Sequence, residues 1–190
     1  GLGKSIYELG FSMYGLALLF REQGNFERAA GLFEESIAFH REIGDREGVA
    51  QALLGLSDIA RDRGIAAEAR HYGESSLEIY RETGTMWALG FVLNNLATAA
   101  YIEGDTQQAL GIVRESETIF REQNADASLA EILVTLGNIL RAHGDLLGAS
   151  EALTEALRLA QVTGPQLLVA TAMEAMASVV VRSGQMTLAA

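Results

Sequence analysis

Glycine returns along this chain at a fixed interval. Gly24, Gly64, Gly104, Gly144 and Gly184 stand 40 residues apart, and Gly44, Gly84, Asn124 and Gly164 follow the first four by 20. Glycine accepts the left-handed backbone that ends helices, and asparagine is the next most tolerant residue, so Asn124 marks the same event. Each half-period is one helix with its turn, and the whole period is one helical hairpin. Few folds satisfy that constraint other than hairpins stacked in series.

The residues behind the first glycine series are helix starts. Asn25, Asp105 and Asp145 carry side-chain oxygens that can accept from the free amides of a first turn. Asp105 with Gln108, and Ser128 with Glu131, have capping-box spacing, whereas Ile65 breaks the pattern. Equivalent positions form columns. Leu16, Leu56, Leu96, Leu136 and Met176 are large, as are Met13, Leu53, Leu93, Leu133 and Met173. Others stay small: Gly10, Ala50, Gly90, Ala130, Ala170; Ala17, Ser57, Ala97, Gly137, Ala177; Ala29, Ala69, Ala109, Ala149, Ala189; and Ser36, Ser76, Ser116, Ala156. Large knobs facing small sockets at one spacing are what closely crossed helices require.

Composition narrows the function classes. The chain of 190 residues is 49% hydrophobic with one proline, which argues against disorder. Absence of cysteine removes disulfides, thiolate metal sites and thiol nucleophiles. A formal charge of −11 with a single lysine, Lys4, argues against nucleic acid as a direct partner. No basic segment precedes an apolar run. The longest apolar stretch, Leu167 to Val181, reads as too short to span a bilayer and carries Glu174. The expectation is a cytoplasmic protein without membrane contact.

The columns resemble the tetratricopeptide repeat. Leu96-Ala97 matches that family's large-small pair, Gly104-Asp105 its turn and Ala109 its alanine, with counterparts in every unit. The period departs from the usual ~34 residues, and the family's proline after the second helix reads as missing. The six added residues are expected in the second helix and the turn after it. HEAT-type repeats, with about this longer period, are the structural alternative. The resemblance implies an all-α, right-handed α-α superhelix, a solenoid of about four and a half hairpins, over units near 5–44, 45–84, 85–124, 125–164 and 165–190. The last unit stops soon after Gly184 with its second helix barely begun, and neither end carries a polar cap, so the chain reads as one repeat domain cut from a longer protein.

In such hairpins, residues equivalent to Val49, Ala50, Leu53, Leu56, Ser57 and Ala60 form the buried stripe of the first helix. Those equivalent to Gln51, Leu54, Gly55, Asp58, Arg61 and Asp62 lie opposite. By the resemblance, the second stripe lines a concave groove that binds a protein, peptide or other ligand. The groove candidates are Tyr14, Arg21, Asp58, Arg61, Asn94, Asn95, Thr98, Tyr101, Glu131, Asn138, Arg141, Glu174 and Ser178, with Phe11 and Phe91 adding aromatics.

Arg21, Arg61 and Arg141 share a column. They form either a ladder for a carboxylate ligand or local pairs, such as Arg61 with Asp58. Asn95 and Asn138 could donate and accept toward an extended main chain, or be solvated. The series Arg41-Glu42, Arg81-Glu82 and Arg121-Glu122 reads as an outer surface with ion pairs between repeats. Tyr72, Tyr80, Phe39 and Phe120 fall on apolar columns. His40, His71 and His143 occupy different columns and have neither metal-ligand nor acid-base spacing, so no catalytic residue, metal or cofactor is expected.

The segments LFEESIAFHREIGDREGVAQALLGLSDIARDRG and VLNNLATAAYIEGD look like the longer repeats of bacterial signal-transducing ATPases and LuxR-type activators. That implies a sensor or interaction segment of a transcriptional regulator. A static assembly scaffold, with possible self-association, and a peptide-pheromone receptor are the alternatives.

Overall fold

The computed structural model describes residues 2–188, with side chains described for 9–162 and 164–184. Among these residues the chain forms nine helices and no strand: α1 (Leu2–Glu22), α2 (Phe26–Glu42), α3 (Arg46–Asp62), α4 (Ala66–Thr83), α5 (Met86–Ile102), α6 (Thr106–Glu122), α7 (Asp126–His143), α8 (Leu146–Thr163) and α9 (Gln166–Leu188). Odd numbers are first helices of hairpins and even numbers are second helices. Two compact units are resolved, Gly1–Ile102 and Glu103–Ala190. In the first, consecutive helices pack together, and α3 lies against both α1 and α5. In the second, α6 packs on α7, α7 on α8, and α9 on both α7 and α8.

The turns follow the glycine clock. Gly24, Gly44, Gly64, Gly84, Gly104 and Gly144 have positive φ, and Asn124 joins them at φ 52°. Asn25, Asp105 and Asp145 each accept from the backbone amide three residues on, and Asp45, not foreseen as a cap, does the same for Gly48 at 3.0 Å. Ile65 makes no side-chain cap.

Several expectations need correction. Ser128 caps nothing, because α7 already begins at Asp126 behind Ala125. Gly164 is extended, at φ −98° and ψ 163°, rather than left-handed. The cause is Pro165, whose ring drives the preceding residue out of helical space; this is the proline read as missing. Gly184 makes no turn, and α9 runs through it, with no Asn, Asp or Ser behind it to cap a new helix. Finally, the helices from α2 to α8 are all 17 or 18 residues long, so the six extra residues are shared by both members of a hairpin rather than lodged in the second.

The small columns are contact points. Ala29, Ala69, Ala109 and Ala149 are fully buried, while Ala189 lies outside the described residues. The serine column does more than save space. Ser36 Oγ donates to the Gly10 carbonyl at 2.9 Å and Ser76 Oγ to the Ala50 carbonyl at 2.8 Å, each tying a second helix to the first helix of its own hairpin. Ser76→Ala is expected to lower stability by about 1 kcal/mol in urea denaturation, the net value of a buried neutral hydrogen bond. An unchanged midpoint would show that the bond contributes nothing.

Large columns are buried only where a hairpin precedes them. A Cβ on Gly73 of α4 would stand 2.9 Å from Leu96 of α5, so the leucine seats against the hairpin before it. Leu56 is 4% exposed, whereas Leu16, with no described helix ahead of α1, is 44% exposed. Of the aromatic residues assigned to the core, Tyr80 and Phe120 are buried, while Tyr72 and Phe39 are half-buried. The apolar run from Leu167 lies within α9, which is long and apolar enough, by length and composition, to cross a membrane. The reading as too short is therefore corrected, although the packing of α9 on α7 and α8 is that of one more first helix.

Candidate functional site

The carboxyl-terminal turns of α1 and α3 bring two arginines and two aspartates together. Arg21 reaches from α1 to α3, its Nη1 3.2 Å from Asp58 Oδ2 and its Nε 2.8 Å from Asp62 Oδ2. Arg61 meets the same carboxylates, at 3.2 Å to Asp58 Oδ1 and 3.1 Å to Asp62 Oδ1. Its Nη1 also donates to Asn95 Oδ1 on α5 at 2.6 Å. Asn95 Nδ2 then donates to Asp58 Oδ1 at 2.8 Å and to Ser57 Oγ at 3.4 Å. The cluster is charge-balanced and links three first helices. Pairing of Arg61 with Asp58, the local alternative, is therefore what the fold contains, in an enlarged form. Asn95, 1% exposed, is a buried connector rather than a surface amide.

The remaining candidates fall into several settings. Tyr14 is half-buried with its ring 5.5 Å from that of Phe33. Burial pushes its hydroxyl pKa up, the Asp58 charge adds to this, and a hydrogen bond with Gln51 opposes it. Thr98 Oγ1 donates to the Asn94 carbonyl of its own helix at 2.9 Å. Asn94 is buried, with its Oδ1 lacking a hydrogen-bond partner. Leu54 and Gly55, assigned to the same stripe, are buried, and Phe33 of α2 presses its ring against Gly55. Tyr101, Glu131, Asn138 and Arg141 are half-buried, whereas Glu174 and Ser178 are exposed. Ser178 Oγ donates to the Glu174 carbonyl at 3.0 Å.

Arg141 differs from the other arginines of its column. Its Nε is buried without a hydrogen-bond partner, and the side chain borders a hollow of about 530 Å³ with Ser178 and Arg182. Among the described residues, no carboxylate lines that hollow. Of the Arg-Glu series on the second helices, Arg121 forms an ion pair between repeats. Arg121 bonds Glu155 of the next hairpin through Nη1 at 2.8 Å and Nη2 at 2.6 Å, and Glu117 of its own helix at 2.9 Å. The Arg121 guanidinium holds the Glu155 carboxyl below its ordinary pKa. A depressed carboxyl pKa stabilises the fold above the ordinary carboxyl range, and that gain is lost as pH falls through it. Glu155→Gln should therefore narrow the difference in thermal stability between pH ~7 and pH ~3, by no more than about 1 kcal/mol for so exposed a pair. A variant that melts with the same acid sensitivity as the parent would contradict this.

The histidines serve different local purposes. His40 is buried between α1 and α3, at the places where Gly10 and Gly48 have no Cβ, and its Nδ1 lies 3.0 Å from Asp45 Oδ2. It thus belongs to the column of Tyr80 and Phe120. His71 is exposed beside Tyr72, and His143 meets Thr106 at 3.5 Å. Among the described residues, no group of three or more His, Asp or Glu is placed to hold a metal ion. Sequence reasoning also passed over a cleft between α1, α3 and α5 bordered by Phe11 and Trp87. Its signal was available: Trp87 is the only tryptophan of the chain and belongs to none of the core columns.

Helical hairpins in series, with small-residue sockets and a first-helix face carrying polar side chains, define an all-α repeat protein. The tetratricopeptide repeat family matches residues 9–82, which cover most of α1 to α4. Two solved structures extend the likeness over nearly the whole chain. BtubC (BKLC) from P. vanneervenii is 20% identical, with a TM-score of 0.77 over 94% of this chain and 74% of that one. A putative kinesin light chain from Podosopora anserina, with nearly identical TPR-like repeats, is 19% identical, with a TM-score of 0.71 over 95% and 89%. These likenesses establish a TPR-like repeat fold. No match was found among curated protein sequences.

Proposed function

We propose that the chain is a non-catalytic protein- or peptide-binding segment that works through its first helices. The supporting observation is Arg141: among the described residues, a buried guanidinium nitrogen has no partner and the open hollow beside it has no carboxylate. A donor left unsatisfied in a fold is costly, and an acceptor arriving with a partner, a carboxylate or a main-chain carbonyl, removes that cost. Arg21 and Arg61 do not share this role, because Asp58 and Asp62 already neutralise them. The test is a peptide array of varied charge probed with the chain, followed by titration of the strongest peptides. Arg141→Ala should weaken binding about tenfold, as loss of a charge-assisted hydrogen bond does. Retention of no peptide would end this reading.

The finer context we propose is the interaction or sensing segment of a larger, cytoplasmic bacterial transcriptional regulator, supported by the compositional likeness of residues 32–64 and 92–105 to such repeats. Sequencing the encoding locus through both ends tests it. A nucleotide-binding or DNA-binding segment in the same reading frame is expected, and a frame holding neither would overturn the context. The charge-balanced cluster around Asp58 favours a second reading, a static scaffold, because it braces three first helices to one another.

A further inference from the structure

The cleft of about 480 Å³ between α1, α3 and α5 combines features that nothing in the fold explains. Its rim is aromatic: Phe11 is 59% exposed and Trp87 54%, and Trp87 is braced edge-on by Phe91 at 4.8 Å between ring centroids. Its charge is negative. Among the described residues, Asp45 and Glu47 line it and no lysine or arginine does. Asp45 is occupied, by the Gly48 amide on one oxygen and by His40 on the other. Glu47 is held but not used up. Thr85 Oγ1 donates to its Oε1 at 2.5 Å, which fixes the carboxylate and leaves Oε2 without a partner among the described residues. Tyr80 forms part of the wall. It is 3% exposed.

Aromatic faces at an entrance and a positioned carboxylate with an open oxygen are together a receptor for a flat cation. We propose that this cleft binds an arginine side chain of a partner protein, with the guanidinium stacked against Trp87 and Phe11 and donating to Glu47. Arginine fits better than lysine because its planar fork stacks on rings and donates in several directions at once. The site rests on the protein-binding reading above and gives it a chemical preference at the amino-terminal unit.

Trp87, as the sole tryptophan, makes the test direct. A short capped peptide with a central arginine among glycines and serines is titrated into the chain while its fluorescence is followed. The control is the same peptide with citrulline, which keeps the shape and loses the charge. The arginine peptide should give a saturable change, and the citrulline twin should bind about tenfold or more weakly. Glu47→Gln, which preserves the acceptor for Thr85, should erase most of the difference between the two peptides. Phe11→Ala, at an exposed position, should weaken the arginine peptide alone. Equal affinity for both peptides, no saturable change with the arginine peptide, or an unaltered preference in Glu47→Gln would overturn the assignment. The two readings fail separately. Array peptides that bind the chain without arginine enrichment would sink this inference and leave partner binding standing, whereas an array with no retained peptide would sink partner binding itself.

Discussion

Gly55→Val is expected to destabilise the protein by about 3 kcal/mol or more, a sizeable share of the roughly 5–15 kcal/mol that holds a typical domain together. A Cβ at position 55 would stand 2.4 Å from Phe33 Cζ. The ring has no easy retreat: Phe33 is fully buried within a cluster that includes Ala17, Ile37, Leu53 and Leu56. Overpacking there forces the ring off its rotamer or parts α2 from α3, and either costs more than the added methyls gain. Denaturation in urea measures the loss. Combining Gly55→Val with Phe33→Leu should cost less than the sum of the two single changes, because the shorter side chain vacates the contested space. A Gly55→Val protein with the parent's midpoint would mean that the ring does not rest there.

The second large effect belongs to Asp58. Its carboxylate receives Arg21, Arg61 and Asn95 at 3.2, 3.2 and 2.8 Å, and its side chain is 20% exposed. Asp58→Ala leaves two half-buried guanidiniums with Asp62 as the remaining carboxylate of the cluster. Charge-assisted hydrogen bonds are worth about 1.5–3 kcal/mol each, and partial exposure discounts them, so a loss of about 2 kcal/mol is expected. Asp62→Ala removes a more exposed partner and should cost under about 1 kcal/mol. The ratio decides the matter. If the two substitutions cost the same in urea denaturation, Asp58 is not the hub of the cluster.

Much of this fold was legible because its punctuation is local. A left-handed turn needs Gly or Asn at one position, so the spacing of Gly24 to Gly144 and the exchange at Asn124 announced the hairpins without tertiary information. The same logic explains the failures at the last two glycines. Gly164 yields to its neighbour Pro165, and Gly184 has no capping residue behind it, so neither could act by itself. The candidate site was harder to read, because a helical stripe gives a direction but not what lies in that direction. Asn95 and Arg61 were recognisable as polar positions on one face. That they reach each other and Asp58 depends on the crossing of α3 and α5, which no local rule encodes. The serine column was read as small and proved also to be a set of hydroxyl ties, because volume repeats visibly along a sequence while the carbonyl each hydroxyl meets does not. Gly55 shows the converse. A position counted on the open stripe is buried because a ring from the preceding hairpin lands on it.

Hydrogen exchange along the whole chain, with and without the strongest peptide from the array, bears most directly on the claim that first helices present the partner surface. Added protection is predicted in first helices, α1, α3 and α5 or α7 and α9, with the second helices α2, α4 and α8 unchanged. Protection gained on the second helices alone would place the partner on the opposite face and contradict the account.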